Sequence, residues 1–346
     1  MKRFSILILT LCLCLTGCGK QTTEATAQIF AMDTVMEVAA YCSKAEEAVQ
    51  ETKGRIKALE NQLSRTKADS DVSRVNHNGT TPTTGLTYGM QALLPADATN
   101  GAFDITIAPI MDAWGFTGDQ FRVPEQSELN ELLKHVNSDE IQVQEEPSYS
   151  VTLGEGQAID LGGIAKGYTS DLVEQTFRAN GIESGKISLG GNVFVLGGKP
   201  DGSDWRGGIK DPRDESGLAA ILSLRDAYAI TSGGYERYFE ENGKTYHHII
   251  DPSTGYPADS GLLSVTVVAA DNGPDWAGAG NGAMCDAFST ALFVMGEEQA
   301  LDFWRNGGYD FDLVLVTEDG RVVITAGLAD RFEEVKDSGY TYETVS

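Results

Sequence analysis

Apolar positions along this chain fall into short alternating runs set between glycine-rich polar stretches, with a few longer segments of helical spacing. Residues 30–42 read as a strand through Thr34-Val35-Met36-Glu37-Val38-Ala39, and residues 44–63 as an amphipathic helix. A polar stretch covers 64–85, and a shorter helix, interrupted at Pro95, closes at the Asn100-Gly101 turn signal. Residues 123–139 look like a surface helix after Pro124, and a helix over 168–180 stops at Asn180-Gly181. The run 186–196 reads as one bent strand, its Gly190-Gly191 marking a bulge or close backbone approach. Strands follow at 205–210, 219–231, 245–250 and 262–270, then helices at 284–295 and 297–306, then strands at 311–317 and 321–325. Mixed runs without a βαβ rhythm predict an α+β fold. With no convincing linker, residues 29–346 should form one intertwined domain.

The N-terminus adds a different kind of pattern. Met1-Lys2-Arg3 precedes an almost wholly apolar run to Leu15, too short to span a bilayer, and then Thr16-Gly17-Cys18. This is the form of a secretory signal over 1–17, and Leu15-Thr16-Gly17-Cys18 looks like a bacterial lipobox in which Cys18 takes the lipid. An ordinary signal cut nearby is the alternative. Residues 18–28 have the small, polar composition of a tether. The expectation is an extracytoplasmic protein lipid-anchored to a bacterial membrane.

A formal charge of −25 argues against nucleic acid as a partner. An anionic ligand would need a local positive site or a bridging metal. Of the five cysteines, Cys12, Cys14 and Cys18 belong to the leader, so Cys42 and Cys285 make no disulfide framework. No Cys/His spacing suggests zinc.

Chemistry concentrates in a few segments. Asp160-Leu161-Gly162-Gly163-Ile164-Ala165-Lys166-Gly167 sets a carboxylate and an ammonium around a near-bare turn between a strand and a helix. Gly162, Gly163 and Gly167 would let the main chain approach a ligand, and a helix start with Lys166 suits an anionic group, phosphate above all. A tight turn with Lys166 in solvent is the plain alternative. Neither the Walker nor the dinucleotide glycine pattern is present. Further segments are Ala102-Phe103-Asp104, Ser188-Leu189-Gly190-Gly191-Asn192, Thr231-Ser232-Gly233, His248-Ile249-Ile250-Asp251-Pro252, and Asp286 with Ser289-Thr290-Ala291-Leu292.

Together with Met32-Asp33-Thr34, and in this order, these segments closely resemble the ApbE family of FAD:protein FMN transferases. The likeness covers about residues 30–296. It implies an ApbE-like (T-fold-like) α+β fold, Mg²⁺ as cofactor, and FAD as substrate. The activity it implies moves FMN from FAD onto a Ser or Thr of an acceptor flavoprotein, with release of AMP. The family-type target is an Asp followed by Ser/Thr-Gly-Ala-Ser/Thr.

By the same likeness, Met32, Ala102, Phe103, Asp104, Asp160, Lys166, His248 and Ile249 would contact FAD. The backbone of Gly163, with Asp286 and Thr290, would hold the metal, with the backbone of Ser289 close by. Asp286 and Thr290 are four apart and so share a helix face, and both are hard oxygen donors of the kind Mg²⁺ takes. Without the resemblance, Asp286 reads as a helix cap, Thr290 as a packed hydroxyl and Phe103 as a core aromatic. His248 is the best base for an incoming hydroxyl, with a reference pKa near ~6.5. His247, its strand neighbour, should face the other way.

Two alternatives share this site: a Mg²⁺-dependent FAD pyrophosphatase, with water as acceptor, and a non-catalytic flavin-binding lipoprotein. The stretch 269–283, with Trp276, is longer than the family's usual connection and would make a flap or a surface insertion.

Overall fold

The computed structural model describes residues 23–82, 97–118, 120–144, 150–271 and 280–346. Cys18, most of the short helix expected before residue 98 and the stretch around Trp276 lie outside the described residues. The described chain opens with β1 (Glu24–Ala31), β2 (Thr34–Tyr41), α1 (Ala45–Leu63), α2 (Asp71–Asn78) and β3 (Thr80–Pro82). Next come α3 (Ala108–Trp114), α4 (Gln126–Leu132), β4 (Gln142–Gln144), β5 (Ser150–Thr152) and α5 (Ala165–Ala179). A run of strands follows: β6 (Gly185–Leu189), β7 (Asn192–Leu196), β8 (Trp205–Asp211), β9 (Asp214–Leu224), β10 (Ala227–Gly233), β11 (Tyr238–Glu241), β12 (Lys244–His247) and β13 (Leu262–Ala270). The last elements are α6 (Asn281–Asn306), β14 (Asp312–Thr317), β15 (Arg321–Thr325), β16 (Phe332–Glu334) and β17 (Thr341–Val345).

Among the described residues, nine strands form one sheet in the order β1-β2-β6-β7-β10-β13-β14-β15-β17. Every pairing in it is antiparallel except β15 with β17. Its middle strands are apolar on both faces because both are covered. Leu313 and Leu315 of β14 pack with α1, α5 and α6, whereas Val314 and Val316 pack against β8 and β9. The result is a helix layer, the long sheet, and the small sheet β16-β9-β8. A separate aromatic cluster, centred on Trp114 and Phe116, joins α3 and α4 to the β11–β12 hairpin. The α+β fold is as the sequence predicts.

Two predicted single strands are hairpins. The run 30–42 turns at Met32 (φ 51°) and Asp33 (φ 56°), and 186–196 turns at Gly190 (φ 57°) and Gly191 (φ 101°). A two-residue turn with both residues at positive φ matches strand twist. Alternation passes through such a turn unbroken, so only the glycines hint at the second and nothing marks the first. β1 also begins inside the stretch read as tether. The region 219–231 breaks likewise, at Asp226 (φ 45°), into β9 and β10. Within the polar stretch 64–85, α2 forms because the Ser70 hydroxyl accepts from Ser73 N (2.9 Å) and Gly79 (φ 72°) closes the C-terminus. The helix expected over 123–139 is shorter, since α4 tightens into a 3₁₀ turn at Leu133. The helices predicted at 284–295 and 297–306 are the two halves of α6, which breaks at Gly296 (φ 78°).

Helix α5 starts three residues before the predicted 168, and this changes the meaning of Gly167. It lies inside the helix, where a Cβ would collide with the Gly282 carbonyl and Asp286 Cβ on α6. The two helices meet there backbone to backbone. Asp171 secures the same contact. Its carboxylate accepts from Gly282 N (2.7 Å) and Ala283 N (2.9 Å), satisfying two of the free amides at the start of α6.

Gly167→Ala should therefore destabilise the fold by about 1–3 kcal/mol through overpacking. Gly54→Ala, in α1 with nothing within 4 Å of the added carbon, should stabilise it by about 0.5–1 kcal/mol. Urea unfolding of both variants checks the opposite signs; equal shifts would mean that the α5–α6 contact is not tight.

Candidate active site

The β1–β2 turn, the β6–β7 turn, the C-terminal end of β10 and the N-terminal end of α5 gather at one end of the long sheet. An added Cβ at Gly190 would strike Thr34, and one at Gly191 would lie 3.5 Å from Glu236. Met32, at the first turn, packs on the core, donates its N–H to Glu60 Oε1 (2.9 Å) and receives the Thr169 hydroxyl of α5 on its sulfur (3.6 Å).

The glycine loop enters this end from Asp160. Asp160 Oδ1 accepts from Gly162 N (2.8 Å) and Oδ2 accepts from Arg65 Nη1 (2.9 Å). Arg65 also reaches Thr117 Oγ1 and Asp112 Oδ2, each at 2.8 Å, so one guanidinium ties the loop to α3. Sequence reasoning missed Arg65, which stands in no motif. Gly162 and Gly163 form the turn, and Phe103 is a core aromatic, 6% exposed, whose ring would lie 2.9 Å from a Cβ at Gly163. Asp104 is engaged within the protein: Oδ1 accepts from Thr106 N (2.7 Å) and Oδ2 from Ser138 N (3.0 Å). Ala102 is half-buried beside it.

At the start of α5 the first amides have no partner within the helix. Gly167, the third residue, donates its N–H to Asp286 Oδ2 (2.8 Å). Ile164 (φ −147°) keeps the helix from reaching back to the Gly163 carbonyl. Among the described residues, that carbonyl accepts no hydrogen bond and Asp286 Oδ1 receives none. Ser289 Oγ donates to the Asp286 carbonyl (2.8 Å) and lies 2.8 Å from Ser232 Oγ, which is 3.0 Å from Thr290 Oγ1. Protons running from Thr290 to Ser232 to Ser289 leave the lone pairs of Thr290 Oγ1 free. Gly163 is adjacent, its added Cβ 3.5 Å from Thr290 Oγ1. The donor set brought together is thus a backbone carbonyl, a buried carboxylate and a hydroxyl. Among the described residues no group of three or more His, Cys, Asp or Glu side chains forms a metal cage. Ser232 is the member that the Thr231-Ser232-Gly233 segment signalled without assigning.

His248 follows β12, half-buried, with Phe116 edge-on at 6.4 Å. Its Nδ1 lies 3.0 Å from the Arg237 carbonyl. A carbonyl only accepts, so Nδ1 carries the proton and Nε2 presents a lone pair. Burial pushes its pKa down to about 4, against the Arg237 carbonyl and with help from the nearby charge of Lys166. The ring is therefore neutral near pH 7, well below the ~6.5 expected of a free imidazole. His247 points the other way: Nε2 bonds the Ala258 carbonyl (3.1 Å) and its ring meets Phe293 edge-on at 5.4 Å. Ile249 is buried, its N–H donated to His247 Nδ1 (3.3 Å). Lys166 is half-buried, and its ammonium makes no hydrogen bond or ion pair among the described residues. Its charge acts on Glu236 as well as His248.

The sequence model of the ApbE family matches residues 32–313. An FAD:protein FMN transferase of Klebsiella pneumoniae (strain 342) is 35% identical over 294 residues, 82% of this chain and 86% of the relative. One of Treponema pallidum (strain Nichols) is 31% identical over 315 residues, 86% and 84% of the two chains. The crystal structure of the ApbE protein from Thermotoga maritima matches with a TM-score of 0.77 at 31% identity, covering 91% of this chain and 97% of that one. The apo flavinyl transferase ApbE of Pseudomonas stutzeri matches with a TM-score of 0.73 at 27% identity, covering 91% and 95%. The chain belongs to the ApbE family and is an enzyme of the transferase class.

Proposed function

We propose that this enzyme moves the FMN half of FAD onto a Ser or Thr hydroxyl of an acceptor flavoprotein, releasing AMP, with Mg²⁺ held by Asp286, Thr290 and the Gly163 carbonyl. The observation that carries this reading is that, among the described residues, the Gly163 carbonyl and Asp286 Oδ1 receive no hydrogen bond, with Gly163 next to the Thr290 hydroxyl. Hard oxygen donors of this kind suit Mg²⁺, whose other positions go to phosphate and water. The names of the relatives, at 35% and 31% identity, support the substrate.

Bound there, Mg²⁺ supplies Lewis-acid stabilisation to the pyrophosphate oxygens. Lys166 adds a positive charge and the glycine turn brings bare backbone close. His248 Nε2 takes the proton of the acceptor hydroxyl. The acceptor oxygen bonds to the FMN-side phosphorus as that phosphorus parts from the bridging oxygen, which leaves with AMP. Arg65 holds Asp160, and through it the loop, in place for this alignment.

Incubation with FAD, MgCl₂ and an acceptor domain carrying Asp and Ser/Thr-Gly-Ala-Ser/Thr should add the mass of FMN less water to an acceptor hydroxyl and release AMP. Free FMN and AMP with no labelled acceptor would make the enzyme a pyrophosphatase instead.

Asp286→Asn keeps an acceptor for Gly167 N–H but removes the charged ligand. Transfer should fall by about 10²–10³-fold, the equivalent of several kcal/mol of charge stabilisation. Thr290→Val should cost less, since water can replace a neutral donor. Circular dichroism should show both folded; wild-type rates for Asp286→Asn at saturating Mg²⁺ would mean the cation site is misplaced.

His248→Asn should lower turnover by about 10²–10⁴-fold with FAD affinity near wild type. The active form is the neutral imidazole, so wild-type rate should be lost as pH falls through about 4 and be independent of this group between pH 6 and 8. The limb should vanish in His248→Asn and persist in His247→Asn. An acid limb centred near ~6.5 would show that burial does not depress the histidine.

A further inference from the structure

Among the described residues, neither side-chain polar atom of Asn192, Oδ1 nor Nδ2, meets a hydrogen-bond partner, and the residue is 0% exposed. A carboxamide offers two donor hydrogens and an acceptor oxygen, and native interiors seldom leave all of these unpaired. Alternation sets its direction. Phe194 and Leu196 on β7 pack with the helix layer and Val195 packs against the small sheet, so Asn192 faces the helices.

Strand and helix registers then place it. Phe194 pairs with Tyr228, so Asn192 stands beside Ile230, two residues further along β10. Helix α6 runs along β10. A Cβ at Gly282 would lie 2.9 Å from the Tyr228 ring, and Thr290 Oγ1 is 3.0 Å from Ser232. The two tracks agree in length: eight helical residues rise about 12 Å, and four strand residues about 13 Å. Asp286 lies midway along that helix segment and so sits over Ile230, next to Asn192. The unpaired carboxamide is therefore at the sheet floor, where Gly167 of α5 meets Asp286 of α6.

We propose that Asn192 is a positioning residue for the cation site, its carboxamide taking up hydrogen bonds from and to water held by the divalent cation at Asp286. The inference rests on the Mg²⁺-dependent reading above and assigns a role beyond the donors named there. A water in this place has the several polar partners that an ordered buried water needs. Because the carboxamide has no protein hydrogen-bond partner among the described residues, its loss is distinguishable from that of a structural asparagine.

The test compares wild type, Asn192→Val and Asn192→Ser, with MnCl₂ as the probe in the presence of FAD. Free Mn²⁺ is read by electron paramagnetic resonance, and melting temperature is measured without metal or FAD. Asn192→Val should melt at or above the wild-type temperature and weaken Mn²⁺ binding by about 10–100-fold, as the loss of an outer contact to a metal site does. Asn192→Ser, which keeps a hydroxyl and leaves room for water, should recover most of the affinity. A Val variant that melts lower or fails to fold without metal overturns the proposal by making the asparagine structural. Wild-type Mn²⁺ affinity in Asn192→Val overturns it while leaving the transferase reading intact. Absence of Mn²⁺ binding in wild type overturns both.

Discussion

The hydrogen bond from Gly167 N–H to Asp286 Oδ2 is the contact on which the rest of the site depends. It exists because α5 and α6 approach backbone to backbone, which a side chain at position 167 or 282 would prevent. The bond orients the buried carboxylate and satisfies an amide at the start of α5, while the Gly163 carbonyl, ahead of the helix and beside Thr290, accepts no hydrogen bond among the described residues. Asp171 of α5, bonded to the first amides of α6, keeps the two helices in this register, and the hydroxyl chain Thr290, Ser232 and Ser289 ties α6 to β10. The close contact thus turns a packing requirement into a ligand set.

Electrostatics follow from where the few cations are spent. A chain of net charge −25 has no general attraction for phosphate. Arg65 is committed to Asp160, Asp112 and Thr117 and acts as a brace. Lys166 has no such partner among the described residues and remains available to an anionic substrate. Its charge also helps hold His248 neutral, so the group that would meet a phosphate tunes the group that would receive a proton. The Arg237 carbonyl completes this by choosing the tautomer that leaves Nε2 bare.

The three-layer arrangement explains why these pieces can be so far apart in sequence. Both faces of the middle strands of the long sheet are buried, so these strands cannot slide without moving whole apolar rows. Turns at Met32-Asp33 and Gly190-Gly191, together with the end of β10, therefore form a rigid rim. The aromatic cluster around Trp114 and Phe116 sets the β11–β12 hairpin, and with it His248, against that rim.

By itself the sequence determined the fold class, the helices over α1 and α6, and the sharing of one helix face by Asp286 and Thr290, because local spacing decides which side chains lie together. It also set His248 and His247 on opposite sides, since alternation on a strand separates neighbours, while the choice of His248 came from its match to the family's His-Ile-Ile-Asp-Pro segment. Only the tertiary structure decided that Gly167 serves helix packing and not backbone approach to a ligand, that Phe103 belongs to the core, and that Asp104 is engaged by Thr106 and Ser138. Arg65, the depressed pKa of His248 and the unpaired carboxamide of Asn192 were equally invisible. The reason is common to all of them. Burial, clash and hydrogen-bond satisfaction depend on atoms contributed from tens to more than a hundred residues away, and no local pattern in the chain records those distances.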